Sequence, residues 1–397
     1  MIELFRTCPN FLRFWLSQAT SQIGDRIHSL ALIWLVYKWS NSALAVGMIL
    51  IATSLPGILI SPLAGILCDR FSRRKIMIIA DLVRSAVVAW VAWQSYTNAL
   101  DYNGLICATV VIAMAAAFFN PAALALIPNL VERGALTRAN AASQLVAGLS
   151  AVIGPLFGSA LIATIGVPMA FGINSISFIV SALLIFLVHE QPMAQTSTKP
   201  SFLGEMRAGR EALRQAPLIT ALLVPIMVIN FFFAAIPVVL PVLAEGIFQA
   251  GATGLGILMS CFGGGMFIGS LLLSMARQQK ERTVTLIGFS LMGCCFPLIA
   301  LSQWLPLTGL GLLGVGIGLS IVNITLITIF QKLLDDSSRG KIMALVTGLA
   351  LSLQPIAYGV MGIATEILKP AGALLAGGAV ILLVTFYLAS LKLLKEV

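Results

Sequence analysis

The sequence predicts an all-α membrane protein whose twelve transmembrane helices form two six-helix bundles. Three observations lead there. Apolar residues make up 59% of the 397 residues and charged residues only 10%, against roughly 25% charged in soluble domains. Apolar runs of about 20 residues, the length a helix needs to cross some 30 Å of hydrocarbon, recur between polar breaks. One long polar interval then divides those runs into two sets of six. A β-barrel would need short segments of alternating hydrophobicity instead of continuous runs.

The first six runs are read at 12–37, 43–67, 76–97, 104–127, 140–164 and 168–188. The first is too long, and too directly followed by another, for a cleaved signal peptide, so the N-terminus is expected to stay attached. The polar interval spans His189 to Pro217, and the other six runs follow at 218–243, 254–276, 284–303, 306–330, 342–365 and 371–394. This gives an N-terminal bundle over 1–190, a linker over 191–217 and a C-terminal bundle over 218–397. Within the linker, Phe202, Met206 and Leu213 alternate with Arg207, Arg210 and Arg214. That pattern suits either a helix lying on the membrane surface or a solvated linker with helical propensity.

The formal net charge of +9 raises the question of nucleic acid, and the placement of the charges answers it. Of the 24 lysines and arginines, all except Lys38, Lys369, Arg26 and Arg84 fall at the termini or in the even-numbered connections, which share one side of the bilayer. Basic residues accumulate on the cytoplasmic side. Both termini are therefore expected in the cytoplasm, and the excess reads as a topology signal with anionic lipid headgroups as its partner. Nucleic acid is not an expected partner. The six cysteines have no CxxC spacing and read as reduced packing residues.

The halves also carry weak repeats. Leu130-Val131-Glu132 and Arg138 to Ala141 align with Leu333-Leu334-Asp335 and Lys341 to Ala344 at constant offset, and Arg277, Lys280 and Arg282 repeat a basic cluster at Arg70 to Lys75 in degraded form. Two bundles related by an axis along the membrane normal would produce this pattern.

An enzyme finds little support. There is no HExxH, no phosphate-binding GxxxxGK[ST] and no Cys/His cluster with zinc spacing, and only His28 and His189 are present. No cofactor and no metal are expected. With no nucleotide site, any concentration of a solute draws on an ion gradient or the solute's own.

Polarity is out of place in the first run. Gln18, Gln22, Asp25 and Ser29 follow i, i+4, i+7, i+11 spacing and share one helix face. A charge at the centre of a span costs about 2.5–3.5 kcal/mol, so Asp25 should face a partner or a water-filled cavity. Arg26 is adjacent but points about 100° away, His28 lies at i+3 on nearly the same side, and Arg84 is the remote candidate. Two roles remain open for Asp25: exchange of a proton during transport, or a permanent ion pair that holds helices together. Asp81 and Arg84, at i, i+3 near the start of the third run, are expected to form a structural or gating pair close enough to the interface to reach water or the loop charges.

Polar groups inside or near apolar runs mark candidate cavity residues: Gln18, Gln22, Asn120, Gln144, Asn230, Asn323, Gln354 and Tyr358. They suit hydrogen bonding to a substrate or to a neighbouring helix. Small-xxx-small spacing at Gly154 with Gly158, Gly265 with Gly269, and Gly314 with Gly318 reads as close helix packing, with Pro155 permitting a bend.

The spacing Gly65-x-x-x-Asp69-Arg70-x-x-Arg73-Arg74 resembles the loop between the second and third helices of the major facilitator superfamily of transporters, with Ser72 where that family usually has Gly. The resemblance implies that Gly65, Asp69, Arg70, Arg73 and Arg74, with Asp81 nearby, belong to a cytoplasmic gate that stabilises the outward-facing state. Gly154-Pro155-Leu156-Phe157-Gly158 resembles the end of the antiporter-associated motif of that superfamily, with its preceding glycines largely replaced. Gln18 to Asp25, Ala80 to Arg84, Phe119-Asn120-Pro121-Ala122, Ile127-Pro128 and Ala139-Asn140 resemble the branch containing macrolide efflux proteins and the enterobactin exporter.

These resemblances imply a proton-coupled exporter of amphipathic small molecules in the bacterial inner membrane, working by alternating access. Its partners would be cargo, protons and membrane lipids, and its expected state is a monomer. A lysophospholipid transporter of the same fold is the alternative. A non-transporting sensor or scaffold would leave the polar stripe of the first run unexplained. For the topology, single cysteines in a cysteine-free background are expected to label from the cytoplasmic side alone when placed in 189–217 or at either terminus; labelling of the linker from outside would invert the orientation.

Overall fold

The computed structural model describes residues 2–189, 217–275, 280–334 and 336–390. The expected linker helix therefore lies outside the described residues. The described residues are helical almost throughout. A short α1 (Ile2–Thr7) leads into α2 (Pro9–Ser40), α3 (Ala43–Arg70), α4 (Arg73–Tyr96), α5 (Tyr102–Leu130), α6 (Leu136–Ile165) and α7 (Val167–Phe186). After the linker come α8 (Pro217–Phe233), α9 (Ala235–Val242), α10 (Gly251–Met275), α11 (Glu281–Leu301), α12 (Leu305–Leu333), α13 (Asp336–Ser352) and α14 (Gln354–Ser390).

Among these residues ten helical stretches are long and apolar enough to cross a bilayer. Two features reconcile that number with twelve predicted runs. Helix α2 has the length, at 32 residues, but spends positions on Gln18, Gln22, Asp25, Arg26 and His28 and so is less apolar than its neighbours. The stretch Val346–Ser390, at 45 residues, is long enough for two crossings, and α14 turns within it at Lys369, whose φ of 63° is non-helical, just before Pro370. The predicted run 218–243 is also interrupted. It breaks at Ala234 between α8 and α9, and a π-helical turn, Leu243–Ile247, follows Pro241. Prolines 237 and 241 each remove a donor from the ladder, which is how a helix acquires such irregularities.

The chain divides into two compact units, Met1–Ser40 with Ala52–Ser197, and Asn41–Ile51 with Thr198–Val397. The start of α3 thus groups with the second unit, away from the sequence boundary at 190. Its local cause is visible: Glu366 of α14 accepts from Ser42 Oγ and, at 3.1 Å, from Leu44 N. Gly47 and Gly362 let the backbones approach, since a Cβ on Gly362 would lie 3.0 Å from Leu44 Cα.

In the first unit α2 packs along α6 and α7, and α4 along α5 and α7. In the second, α11 packs along α12 and α14, and α10 along α12. The matching pairs, α4 with α5 and α7, α11 with α12 and α14, occupy equivalent places in the two sets. The repeat extends to the helix ends. Arg74 Nε donates to Ile185 O at 3.2 Å near the end of α7, and Arg282 Nη2 donates to Ala389 O at 2.7 Å near the end of α14. Each arginine neutralises carbonyls that a helix terminus leaves unpaired.

Large apolar side chains such as Leu59, Phe157, Ile176, Leu383 and Phe386 remain exposed, as lipid-facing residues should. The closest helix contacts instead rely on small residues. Gly265 meets the backbone of Leu313, and a Cβ on Gly269 would lie 2.7 Å from Ile317 O. Backbone cannot yield as a side chain does, so Gly269→Val should destabilise the protein by about 1–3 kcal/mol through overpacking. Gly264→Val, with no atom within 4 Å of its Cβ position, should be near neutral; thermal unfolding of the two purified variants makes the comparison.

Candidate functional site

Three ionisable side chains meet inside the first unit. Asp81 and Arg84 stand one turn apart on α4, and Arg84 Nη2 donates to Asp81 Oδ1. Asp25 of α2 brings Oδ2 to 3.7 Å from Arg84 Nη1. The other oxygen of Asp81 accepts from Ser181 Oγ of α7 at 2.7 Å. The rings of Phe119 on α5 and Phe178 on α7 each have their centroid 4.3 Å from Arg84 Cζ. Stacked rings attract a guanidinium by about 0.5–2 kcal/mol each, more when desolvated.

Exposure separates the two carboxylates. Asp81 is fully buried and Arg84 is 2% exposed, but the Asp25 side chain keeps 43% of its surface. A bonded, enclosed pair thus stands beside an acid that keeps part of its surface uncovered by the protein. The sequence leaves Asp25 three possible partners, and the structure brings it Arg84. His28 turns instead toward α7, with its ring centroid 5.0 Å from that of Phe171 and Nδ1 buried without a hydrogen bond. Arg26 is exposed, and Gly154 packs against its Cβ.

The stripe of α2 has a structural origin. Gly24 accepts the approach of Asn174 and Ser177 of α7, and a Cβ on Gly158 of α6 would sit 3.1 Å from Ile27 Cα. These close contacts seat one side of α2 between α6 and α7. Gln18, Gln22, Asp25 and Ser29 consequently stay partly exposed, with Gln22 Nε2 donating to Gln18 Oε1 at 3.3 Å. Gly154 and Gly158 thus serve close packing on α2, and Pro155 is buried beside them.

Asp81 requires a correction. Its place in the sequence suggests a structural or gating pair with Arg84 within reach of water or the loop charges; the pair forms, but Asp81 is buried and bonded to Arg84 and Ser181. The i, i+3 arginine one turn further in, together with the hydroxyl from α7, holds it in the interior. Of the loop residues, Arg73 Nη1 donates to Ala125 O at 2.5 Å. Arg74 donates to Ile185 O and Phe186 O and stacks 5.0 Å from the Phe186 ring centroid. Arg70 is exposed and Gly65 has no neighbour near its Cβ position; the Asp69 side chain lies outside the described residues.

Asn120, Gln144 and Asn323 are exposed. Asn230 Nδ2 donates to Ile226 O at 2.9 Å on its own helix, and Gln354 Nε2 donates to Tyr358 Oη at 2.8 Å. The sequence reading passed over Phe178 and Ser181, as well as Ser85 and Ser175, which bond across α4 and α7 at 2.9–3.0 Å. Their signal was available. Asn174, Ser177, Phe178 and Ser181 follow i, i+3, i+4, i+7 spacing in an otherwise apolar run, the mark of one helix face.

Breaking a buried pair by removing one member leaves an uncompensated charge, at a cost of about 3–5 kcal/mol. Arg84→Gln should therefore lower stability by that order, and the double variant Asp81→Asn/Arg84→Gln should recover most of it. Thermal unfolding of the two in the same detergent tests this; equal losses would mean that Asp81 does not depend on Arg84.

Comparison with known proteins agrees with this architecture. The family model of the Major Facilitator Superfamily matches residues 14–357. Macrolide efflux protein A of Streptococcus pyogenes is 25% identical over 351 residues, covering 86% of each chain. The multidrug efflux pump Tap of Mycobacterium bovis is 31% identical over 168 residues, covering 41% of this chain and 40% of its own. The crystal structure of the nucleoside transporter NupG superposes with a TM-score of 0.78 at 12% identity, covering 96% of this chain and 98% of that one; at that identity the likeness speaks for fold alone. A family match over most of the chain, and a helical architecture shared with solved transporters, lead to one assignment: the chain belongs to the Major Facilitator Superfamily and is a multi-pass membrane transporter.

Proposed function

We propose that this transporter exports amphipathic small molecules of the drug, macrolide or siderophore type in exchange for protons, by alternating access of a central site in the bacterial cytoplasmic membrane. The observation that carries the reading is Asp25, a partly exposed carboxylate in the middle of a spanning helix, 3.7 Å from an arginine already bonded elsewhere. Acids inside membrane segments mark ion pathways by default.

The chemistry follows from which oxygen is free. Asp81 has one oxygen bonded to Arg84 and the other to Ser181, so it is poorly placed to give up or accept a proton without dismantling the pair. Asp25 has no such enclosure. When charged it is balanced by Arg84 across a short gap; when protonated it leaves Arg84 to Asp81. Access alternating between the two sides of the membrane would then load a proton on one side and release it on the other. Gln22, partly exposed on the same face, offers its amide carbonyl to polar groups of a cargo. The efflux function named for the Streptococcus and Mycobacterium relatives supports the export direction and cargo type.

Asp25→Asn is the test, because the amide keeps hydrogen-bonding capacity but binds no proton near neutral pH. In proteoliposomes with an imposed pH gradient, flux of an amphiphilic cargo should fall to the level of empty liposomes while binding of the same cargo persists. Full pH-driven flux in the variant would remove Asp25 as the coupling group.

A further inference from the structure

Arg84 is held in an unusual way, and the arrangement resting on the proton-coupling reading above has a testable meaning of its own. Its guanidinium lies against two rings carried by α5 and α7, the helices that pack along α4. Its Nη2 is bonded to Asp81 and its Nη1 faces Asp25 across 3.7 Å. Two rings and two carboxylates thus surround it. With both rings this near, a small shift of the guanidinium between the two carboxylates keeps it within reach of them. A slide of about 1 Å would shorten the Asp25 gap to the 2.7–2.9 Å of a charge-assisted hydrogen bond. Ser181, bonded to Asp81 at 2.7 Å, fixes the other end of the track.

We infer that Phe119, Phe178 and Ser181 are positioning residues that confine Arg84 to a slot in which it moves between Asp81 and Asp25, so that the protonation of Asp25 is reported to α4 and α7 by the position of Arg84. Ser181 sets the balance. Its hydroxyl stabilises the charge on Asp81 and thereby reduces that carboxylate's need for Arg84. With Ser181 absent, Asp81 draws Arg84 away from Asp25, and Asp25 keeps its proton to higher pH. The other charged groups about Asp25 are few: Arg26 lies on its own helix, α7 carries no ionisable side chain, α5 carries only Tyr102 and Cys107, and α6 has Arg138 in its first turn. His28 points at Phe171.

The experiment reads Asp25 directly, by infrared titration of the purified protein in lipid, taking as the Asp25 signal the carboxyl stretch that disappears in Asp25→Asn. Ser181→Ala should move the midpoint of that band upward in pH, and Ser181→Thr, which retains the hydroxyl, should return it to the parent value. Phe178→Leu and Phe119→Leu should each broaden or displace the same titration, which guards against one ring variant failing to fold. An unmoved midpoint in folded Ser181→Ala would overturn the inference, as would equal shifts in the Ala and Thr variants. Flux measured in parallel keeps the two readings apart. Loss of pH-driven transport coupling in the parent would sink the proton-coupled function without affecting the band, whereas an unmoved band with intact coupling would sink the slot alone.

Discussion

An arginine cannot shed its charge at any pH a cell meets, so a helix that carries Arg84 into the bilayer must bring an answer with it. The answer here is layered: Asp81 on the same helix, two aromatic rings from the helices on either side, and a serine that completes the bonding of the acid. Much of the first unit follows from this demand. The close seating of α2 at Gly24 and Gly158, and the bonded serine pair between α4 and α7, hold α2, α4 and α7 at the separation this cluster needs. Function then occupies what the structural pair leaves over. Asp25 is the acid that the arginine does not fully satisfy, and its incomplete pairing is what makes it chemically available.

The fold was legible because hydrocarbon thickness writes itself directly into sequence. Runs of about 20 apolar residues, a polar interval in the middle and one-sided basic loops leave few architectures standing. The polar stripe of α2 was legible for the same reason, since Gln18, Gln22 and Asp25 have no business in lipid. Legibility failed where the answer depended on which helices touch. Asp81 looked like an interfacial residue from its position along α4, and its burial shows only once α7, carrying Ser181 from 100 residues later, packs against it. The irregular α8–α9 segment was hidden in a similar way: its composition is that of an uninterrupted span, and the break arises where closely spaced prolines remove backbone donors.

The two halves show how duplication survives loss of sequence similarity. Arg74 and Arg282 stand on equivalent helices and bond to carbonyls at the ends of equivalent partners, although the surrounding residues have diverged. What is kept is the solution to a physical problem common to both halves, the unpaired carbonyls at the end of a spanning helix. The Asp25–Arg84–Asp81 cluster has no such counterpart among the described residues of the second unit, and the halves are therefore alike in scaffold and unlike in chemistry.

The i, i+3 spacing of Asp81 and Arg84 also bears on how the protein is made. Their pair closes within one turn of a single helix, so α4 can enter the membrane with its charges already matched, before any later helix exists. Ser181 is separated from Asp81 by 100 residues, and at roughly 5–20 residues per second of synthesis that helix follows some 5–20 s behind. The nascent chain passes that interval with an ion pair lacking its serine and, until α5 follows, both of its rings. A contact that later serves as the anchor of a functional cluster is, during biogenesis, what lets a charged helix wait in the bilayer for its neighbours.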